Sequence, residues 1–223
     1  DGNQFDFATD DADVSGDGNV VALSTITAVA TLATRGAFAR IVNTATTVNA
    51  NLAVASYAAS AGNTVSISQD GDKVAFTKRF LAGGSNFSHV FRYDVSANTV
   101  TQMTHYEGSM TDEQGGTDVV LSDDGNAVLY RRNSTIALTL TLDGAQQIVA
   151  TGIDSSLRFP RFAGSSKNVI FASNVALIAS DTNNHIDVYL RTNGAPATYS
   201  VLSLPTAPGT QANGASLTPA APA

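Results

Sequence analysis

One short phrase recurs four times along the chain: Ser15-Gly-Asp-Gly-Asn19, Ser68-Gln-Asp-Gly-Asp72, Ser122-Asp-Asp-Gly-Asn126, and a degenerate Gly164-Ser-Ser-Lys-Asn168. An apolar run follows each: Val20–Leu23, Val74–Phe76, Val128–Tyr130 and Val169–Phe171. Asp-Gly pairs tolerate positive φ and close hairpins, and short β-branched or aromatic runs make strands. A turn of fixed chemistry ahead of a strand, met four times, leaves few architectures open.

Each repeat reads as four strands. The first ends at the Ser, and the second is the apolar run. The third lies at Ala37–Val42, Ser88–Tyr93, Thr135–Leu142 and Ile186–Arg191, and the fourth at Asn51–Tyr57, Thr99–Thr104, Gln146–Ala150 and Thr198–Leu204. Four hairpin-linked strands at a period of roughly 40–55 residues predict β-propeller blades. The expected fold is all-β, a propeller of about four four-stranded antiparallel blades plus an extra C-terminal strand. Residues 1–206 form the propeller, with repeats near 10–57, 64–104, 117–151 and 156–204. Residues 207–223 read as an inter-blade loop followed by a terminal strand or tail around Leu217, Thr218, Pro219 and Ala220.

Composition narrows the function classes. There are 17 Asp against two Glu and nine Arg against three Lys, a bias toward turns and away from helices. The net charge of −7 argues against nucleic acid, which needs a basic footprint. The chain has no cysteine, which excludes disulfides, thiol catalysis and Cys-ligated zinc. No run of eighteen apolar residues offers a membrane-spanning helix. Scarce Lys and Glu beside abundant Thr, Asn and Ala point to an exported bacterial protein: secreted, surface-held or periplasmic.

The phrase Ser-x-Asp-Gly-x-x-Val-x-Phe resembles the PD40, or TolB-like, β-propeller repeat, a WD40-like type. Ala172–Arg191, with Asp181-Thr-Asn183 and Asp187-Val-Tyr-Leu-Arg191, is similar to a segment common in exported bacterial members. Repeat two matches it partly, at Asn86 and His89–Asp94, whereas repeat one has Ala37 where repeat four has Asp187. The resemblance covers nearly the whole chain. It implies an interaction scaffold with no shared catalytic residues, and fold alone assigns no activity.

Several constellations compete for a role. Asp11-Ala-Asp13-Val-Ser15-Gly-Asp17 has oxygens at alternating positions, like the start of a calcium loop, but it aligns with two plain hairpins and Ala22 stands where a Glu would close the loop. Asp181, Asn183 and Asp187 are the better candidate calcium ligands, against a loop-shaping role. Arg131, Arg132, Arg158 and Arg161, with Phe159 and Phe162, form a candidate basic binding spot, against structural packing of Arg on aromatics. His89, His105 and His185 occupy different repeat positions and do not predict a metal triad. Glu107, Asp112 and Glu113 sit in one polar loop and read as a solvated patch.

The expected function is therefore a non-enzymatic exported scaffold for protein–protein contact or extracellular assembly. Self-association would run through the terminal strand, an edge open to strand addition, or through the loop face. The alternative is a ligand- or glycan-binding module assisted by calcium, with no other cofactor expected.

Overall fold

The computed structural model describes residues 9–25, 36–50, 61–82, 85–104, 116–132, 135–140, 146–154, 157, 160–164 and 167–203. These hold sixteen strands in four sheets. Blade 1 comprises β1 (Thr9–Val14), β2 (Val20–Thr25), β3 (Ala37–Ile41) and β4 (Thr46–Asn49). Blade 2 comprises β5 (Ala61–Ile67), β6 (Lys73–Ala82), β7 (Ser85–Asp94) and β8 (Thr99–Gln102). Blade 3 comprises β9 (Gly116–Leu121), β10 (Ala127–Arg132), β11 (Thr135–Leu140) and β12 (Gln146–Ala150). Blade 4 comprises β13 (Arg161–Phe162), β14 (Val169–Ser173), β15 (Asp187–Arg191) and β16 (Tyr199–Val201). Every sheet is an antiparallel meander in sequence order. The predicted all-β blade plan holds, and no α-helix occurs among the described residues.

Two strand assignments need correction. The fourth strand of blade 1 is Thr46–Asn49, not Asn51–Tyr57. A tight turn over 42–45, with Ala45 at φ 54°, returns the chain at once, so β-branched Thr46, Thr47 and Val48 pair with β3. The first strand of blade 4 is only Arg161–Phe162, shorter than the span from 156 to the turn phrase at Gly164 that the repeat sets aside for it. Residues 51–57 and the terminal segment with Leu217, Thr218, Pro219 and Ala220 lie outside the described residues.

The repeated phrase builds one locked turn three times. In each, the buried Ser hydroxyl donates to the Asp carboxylate, at 2.7, 2.6 and 2.6 Å for Ser15–Asp17, Ser68–Asp70 and Ser122–Asp124. The same carboxylate oxygen accepts the N–H two residues on, from Asn19, Asp72 and Asn126. The Ser oxygen accepts the N–H of Val20, Lys73 or Ala127, which opens the next strand. The glycine, at φ 73°, 76° and 68°, supplies the left-handed residue that this path requires. Hydrogen bonding holds the carboxylates of Asp17 and Asp70 below the ordinary range: Asp17 chiefly by the Asn19 N–H, Asp70 chiefly by the Ser68 hydroxyl. At Asp124, burial pushes upward but is outweighed by bonds from Ser122 and Asn126.

In blade 4 the register differs from the sequence alignment by one residue. Ala163 donates to the carbonyl of Asn168, so Ala163, rather than Gly164, stands where Ser15 stands. The fourth turn thus has neither the hydroxyl at that place nor an Asp two residues on.

Blades pack face to face through three apolar clusters. Ala22, Ala39, Val74 and Phe76 join blades 1 and 2. Ala75, Val90, Leu121 and Tyr130 join blades 2 and 3. Leu129, Ile136, Phe171 and Tyr189 join blades 3 and 4. Small residues on one face receive aromatics from the next, so the sheets interdigitate.

Candidate binding site in the channel wall

The first strand of each blade lines the inner edge, where β1 packs on β5, β5 on β9 and β9 on β13. An inner strand pairs with its own blade on one side only, so its other row of N–H groups needs acceptors. The preceding blade provides them from side chains. Asp11 Oδ2 accepts the N–H of Val65 at 3.0 Å, and Asp13 Oδ2 accepts those of Ile67 at 3.0 Å and the Ser66 hydroxyl at 3.2 Å. One blade further on, Thr64 Oγ1 accepts the N–H of Val119 at 3.4 Å and Ser66 Oγ that of Leu121 at 3.0 Å. The remaining oxygens of Asp11 and Asp13 take the N–H groups of Ala12 and Val14. Asp11 and Asp13 therefore serve as inter-blade rungs, each carboxylate committed to two backbone donors.

This wall borders a cavity of about 350 Å³. Among the described residues, four aspartates line it, Asp11, Asp13, Asp118 and Asp123, against one arginine, Arg161. Ser66 and Thr64 add hydroxyls. The chemistry such a space offers is reception of a cationic or hydrogen-bond-donating group.

The sequence-predicted basic spot divides. Arg131 is buried, with Nε 3.5 Å from Asp118 Oδ2 and Nη1 3.4 Å from the carbonyl of Asp154. Arg132 ends β10, half-buried, and Arg161 faces the cavity. Arg158 lies outside the described residues. Arg131 and Arg161 belong to the channel wall, where Arg131 meets Asp118 and Arg161 borders the cavity.

The predicted calcium ligands are each engaged by the protein. Asp181 accepts the Tyr189 hydroxyl, Asn183 Oδ1 accepts the N–H of His185 at 2.8 Å, and Asp187 Oδ1 accepts the Ser203 hydroxyl at 2.5 Å. Burial, with Asp181 beside it, pushes the Tyr189 hydroxyl pKa up. Asp187 is fully buried and its Oδ2 has no partner. Among the described residues no three His, Cys, Asp or Glu side chains gather to hold a metal.

Asp187–Ser203 has a counterpart in blade 2. Ser203 Oγ accepts the N–H of Val188 while bonding Asp187, and Thr104 Oγ1 accepts the N–H of Val90 while meeting His89 Nδ1 at 3.0 Å. Gln102 Nε2, a donor, lies 3.4 Å from the same Nδ1, so an accepting Nδ1, and with it the Nε2–H tautomer, suits both neighbours. Burial lowers the His89 pKa to about 4. Sequence reasoning missed both this rung and the inner-edge rungs, because the inner-edge partners lie 53 to 55 residues apart. Aligning the repeats exposes them as columns: Asp11, Thr64, Asp118 and Asp13, Ser66, Val120.

Known structures place this architecture. The chain is similar to TolB from Acinetobacter baumannii, with a TM-score of 0.54, 14% identity, and coverage of 88% of this chain and 43% of that one. It is also similar to the β-propeller domain of the Trilobed protease from Pyrococcus furiosus, described as having an open velcro topology. There the TM-score is 0.56 and the identity 12%, over 90% of this chain and 58% of that one. The WD40 repeats of RRP9 match with a TM-score of 0.56 and 8% identity, over 89% and 52%. No protein-family model and no curated protein sequence matches the chain. Likeness at these identities defines the fold: a TolB-like β-propeller arrangement of four blades. The chain spans 43% to 58% of the length of these three propeller-containing chains.

Proposed function

We propose that the chain is a non-enzymatic, exported scaffold that receives a basic segment of a protein partner in its channel cavity. The observation that carries this is the lining of four aspartates among the described residues, of which Asp118 is paired with buried Arg131, so that three stand against one arginine, Arg161. Asp11 and Asp13 are already hydrogen-bonded by backbone donors, which leaves their negative charge in place without a cation. Export rests on composition. No helix among the described residues is long and apolar enough to cross a membrane.

Isothermal titration of a hexalysine peptide tests the reading. Binding should weaken with salt and weaken further in Asp123→Asn, whose carboxylate borders the cavity outside the rungs, by about 0.5–1 kcal/mol. Equal binding of hexaglutamate, or no salt-dependent binding of hexalysine, overturns it. Self-association through the terminal segment is a further proposal. Concentration-dependent mass in light scattering, lost on deleting residues 214–223, would support it, and unchanged assembly would remove it.

A second reading, a calcium-assisted ligand or glycan module, has one observation on its side: the unpartnered Oδ2 of buried Asp187. Calcium needs six to eight oxygens, so a ligand or backbone would have to add several. A drop in melting temperature on adding EDTA would favour it, and no shift would count against a tightly bound ion.

A further inference from the structure

The rungs that tie the inner strands follow one rule. The side chains four and two residues before the turn-opening position accept the N–H groups three and one residues before it in the next blade. Blade 1 meets blade 2 this way through Asp11 to Val65 and Asp13 to Ile67. Blade 2 meets blade 3 through Thr64 to Val119 and Ser66 to Leu121. Between blades 3 and 4 the rule assigns Asp118 to Pro160 and Val120 to Phe162. Pro160 has no N–H to give, and Val120 has no side-chain acceptor. Both rungs are lost, one from the donor side and one from the acceptor side. Asp118, at φ 55°, pairs with Arg131 of its own blade.

The same seam is firm farther from the channel. Arg191 Nη2 donates to Gln147 Oε1 at 3.2 Å, and the Tyr199 hydroxyl donates to the carbonyl of Val149 at 2.6 Å. The apolar cluster of Leu129, Ile136, Phe171 and Tyr189 lies between the two sheets. Among the described residues, a joint tied outside, lacking both inner rungs and linked at its turns by the partly exposed Lys167–Asp124 pair at 3.6 Å, favours rotation about its outer contacts. We propose that blade 4 parts from blade 3 on its channel side, between β9 and β13, as the first step of a sub-global opening of β13–β16, and that this parting admits the basic segment. The opening rests on the seam alone, whereas its use as an entry rests on the function proposed above. Arg161 rides on β13, so opening carries that arginine away from the lining aspartates. A cationic segment would bind the open state better and shift the population toward it.

Hydrogen exchange on the whole chain tests the joint. Amides of β13–β16 should exchange through a sub-global opening that leaves β5–β8 protected. The double variant Val120→Thr with Pro160→Ala restores one acceptor and one donor at nearly unchanged shape. Exchange of β13–β16 should slow about fivefold or more, the worth of one or two hydrogen bonds. Wild-type amides in β13–β16 as protected as those in β5–β8 would overturn the joint, whether or not the variant folds. Stopped-flow association of hexalysine tests the entry. A slower on-rate in the variant supports gating, and an unchanged on-rate with slowed exchange removes gating while leaving the joint. No hexalysine binding to either protein removes the proposed function and its gate together, and the exchange result still decides the joint.

Discussion

Phe76 stacks on Phe91 in blade 2 as Phe171 stacks on Tyr189 in blade 4, with ring centroids 5.7 and 6.0 Å apart and planes 24° and 25° from parallel. The cross-strand register is the same, and so is the hydroxyl rung at the far end of the third strand, His89–Thr104 in one and Asp187–Ser203 in the other. The blades differ in what ties them to their neighbours. Blade 2 has the Ser–Asp turn lock and inner-edge rungs on both sides. Blade 4 has Ala163 in place of the Ser and meets blade 3 across Pro160 and Val120. The comparison teaches that aromatic interdigitation makes the blade, whereas polar side chains outside the core set how firmly it is held.

The largest test removes the shared element from both. Phe76→Ala and Phe171→Ala each delete a buried ring, at a cost of about 3–5 kcal/mol. In blade 2 the loss should lower the main unfolding transition, because rungs couple that blade to both neighbours. In blade 4 it should split off an early transition confined to β13–β16. Calorimetry with hydrogen exchange reads both, and a single shared transition in Phe171→Ala would erase the contrast between the blades.

Protonation separates the two hydroxyl rungs. His89 has a folded-state pKa of about 4, against about 6.5 for an unfolded histidine. Between those values the unfolded chain takes up a proton that the folded protein refuses. Stability from this source is therefore complete above pH 6.5, falls as the pH drops toward 4, and changes little below that. The span is worth on the order of 3 kcal/mol. Urea denaturation of His89→Gln across pH 4–7 should lose this component, and a wild-type profile no steeper than the variant's would contradict it.

Much of this is legible in the amino-acid sequence itself. The phrase Ser-x-Asp-Gly marked three turns correctly because its chemistry is local: the hydroxyl, the carboxylate and the N–H groups they serve lie within five residues. The blade count followed from the repeat. Strand β4 was missed because Thr46-Thr47-Val48 follows a turn too short to show as a break, while Asn51–Tyr57 looked more strand-like. The channel wall was hidden for another reason. Asp11 and Asp13 have local spacing that imitates a calcium loop, and their partners Val65 and Ile67 come close only when the blades stack.

The turn lock offers the next smaller effect. Ser68→Ala removes a fully buried hydroxyl and leaves the N–H of Lys73 and the carboxylate of Asp70 without it, for about 1–2 kcal/mol. The reciprocal change, Ala163→Ser, should recover less than half of that, because Ser165 stands where the lock needs an Asp. Equal and opposite effects in urea would show that the hydroxyl alone makes the lock.

The smallest contrast is between two lysines beside the turns. Lys73 lies half-buried against Asp72 and Asp94, with Nζ 3.0 Å from Asp94 Oδ2. Burial pushes the Asp94 pKa up, but the N–H of Ala97, the Lys73 ammonium and the Ser96 hydroxyl together bring it to about 2. That stabilisation is present above the unfolded value near 3.8 and is lost as the pH falls through 2. Lys167 sits 3.6 Å from Asp124, more exposed on both sides. Lys73→Met should cost about 1 kcal/mol and raise the pH at which acid begins to unfold blade 2, whereas Lys167→Met should stay within about 0.5 kcal/mol. Added salt should shrink the second effect to nothing and leave most of the first, since only the exposed pair is well screened. If Lys167→Met proved the costlier change, the third and fourth turns would be tied more strongly than their geometry allows, and the joint between blades 3 and 4 would have to open elsewhere.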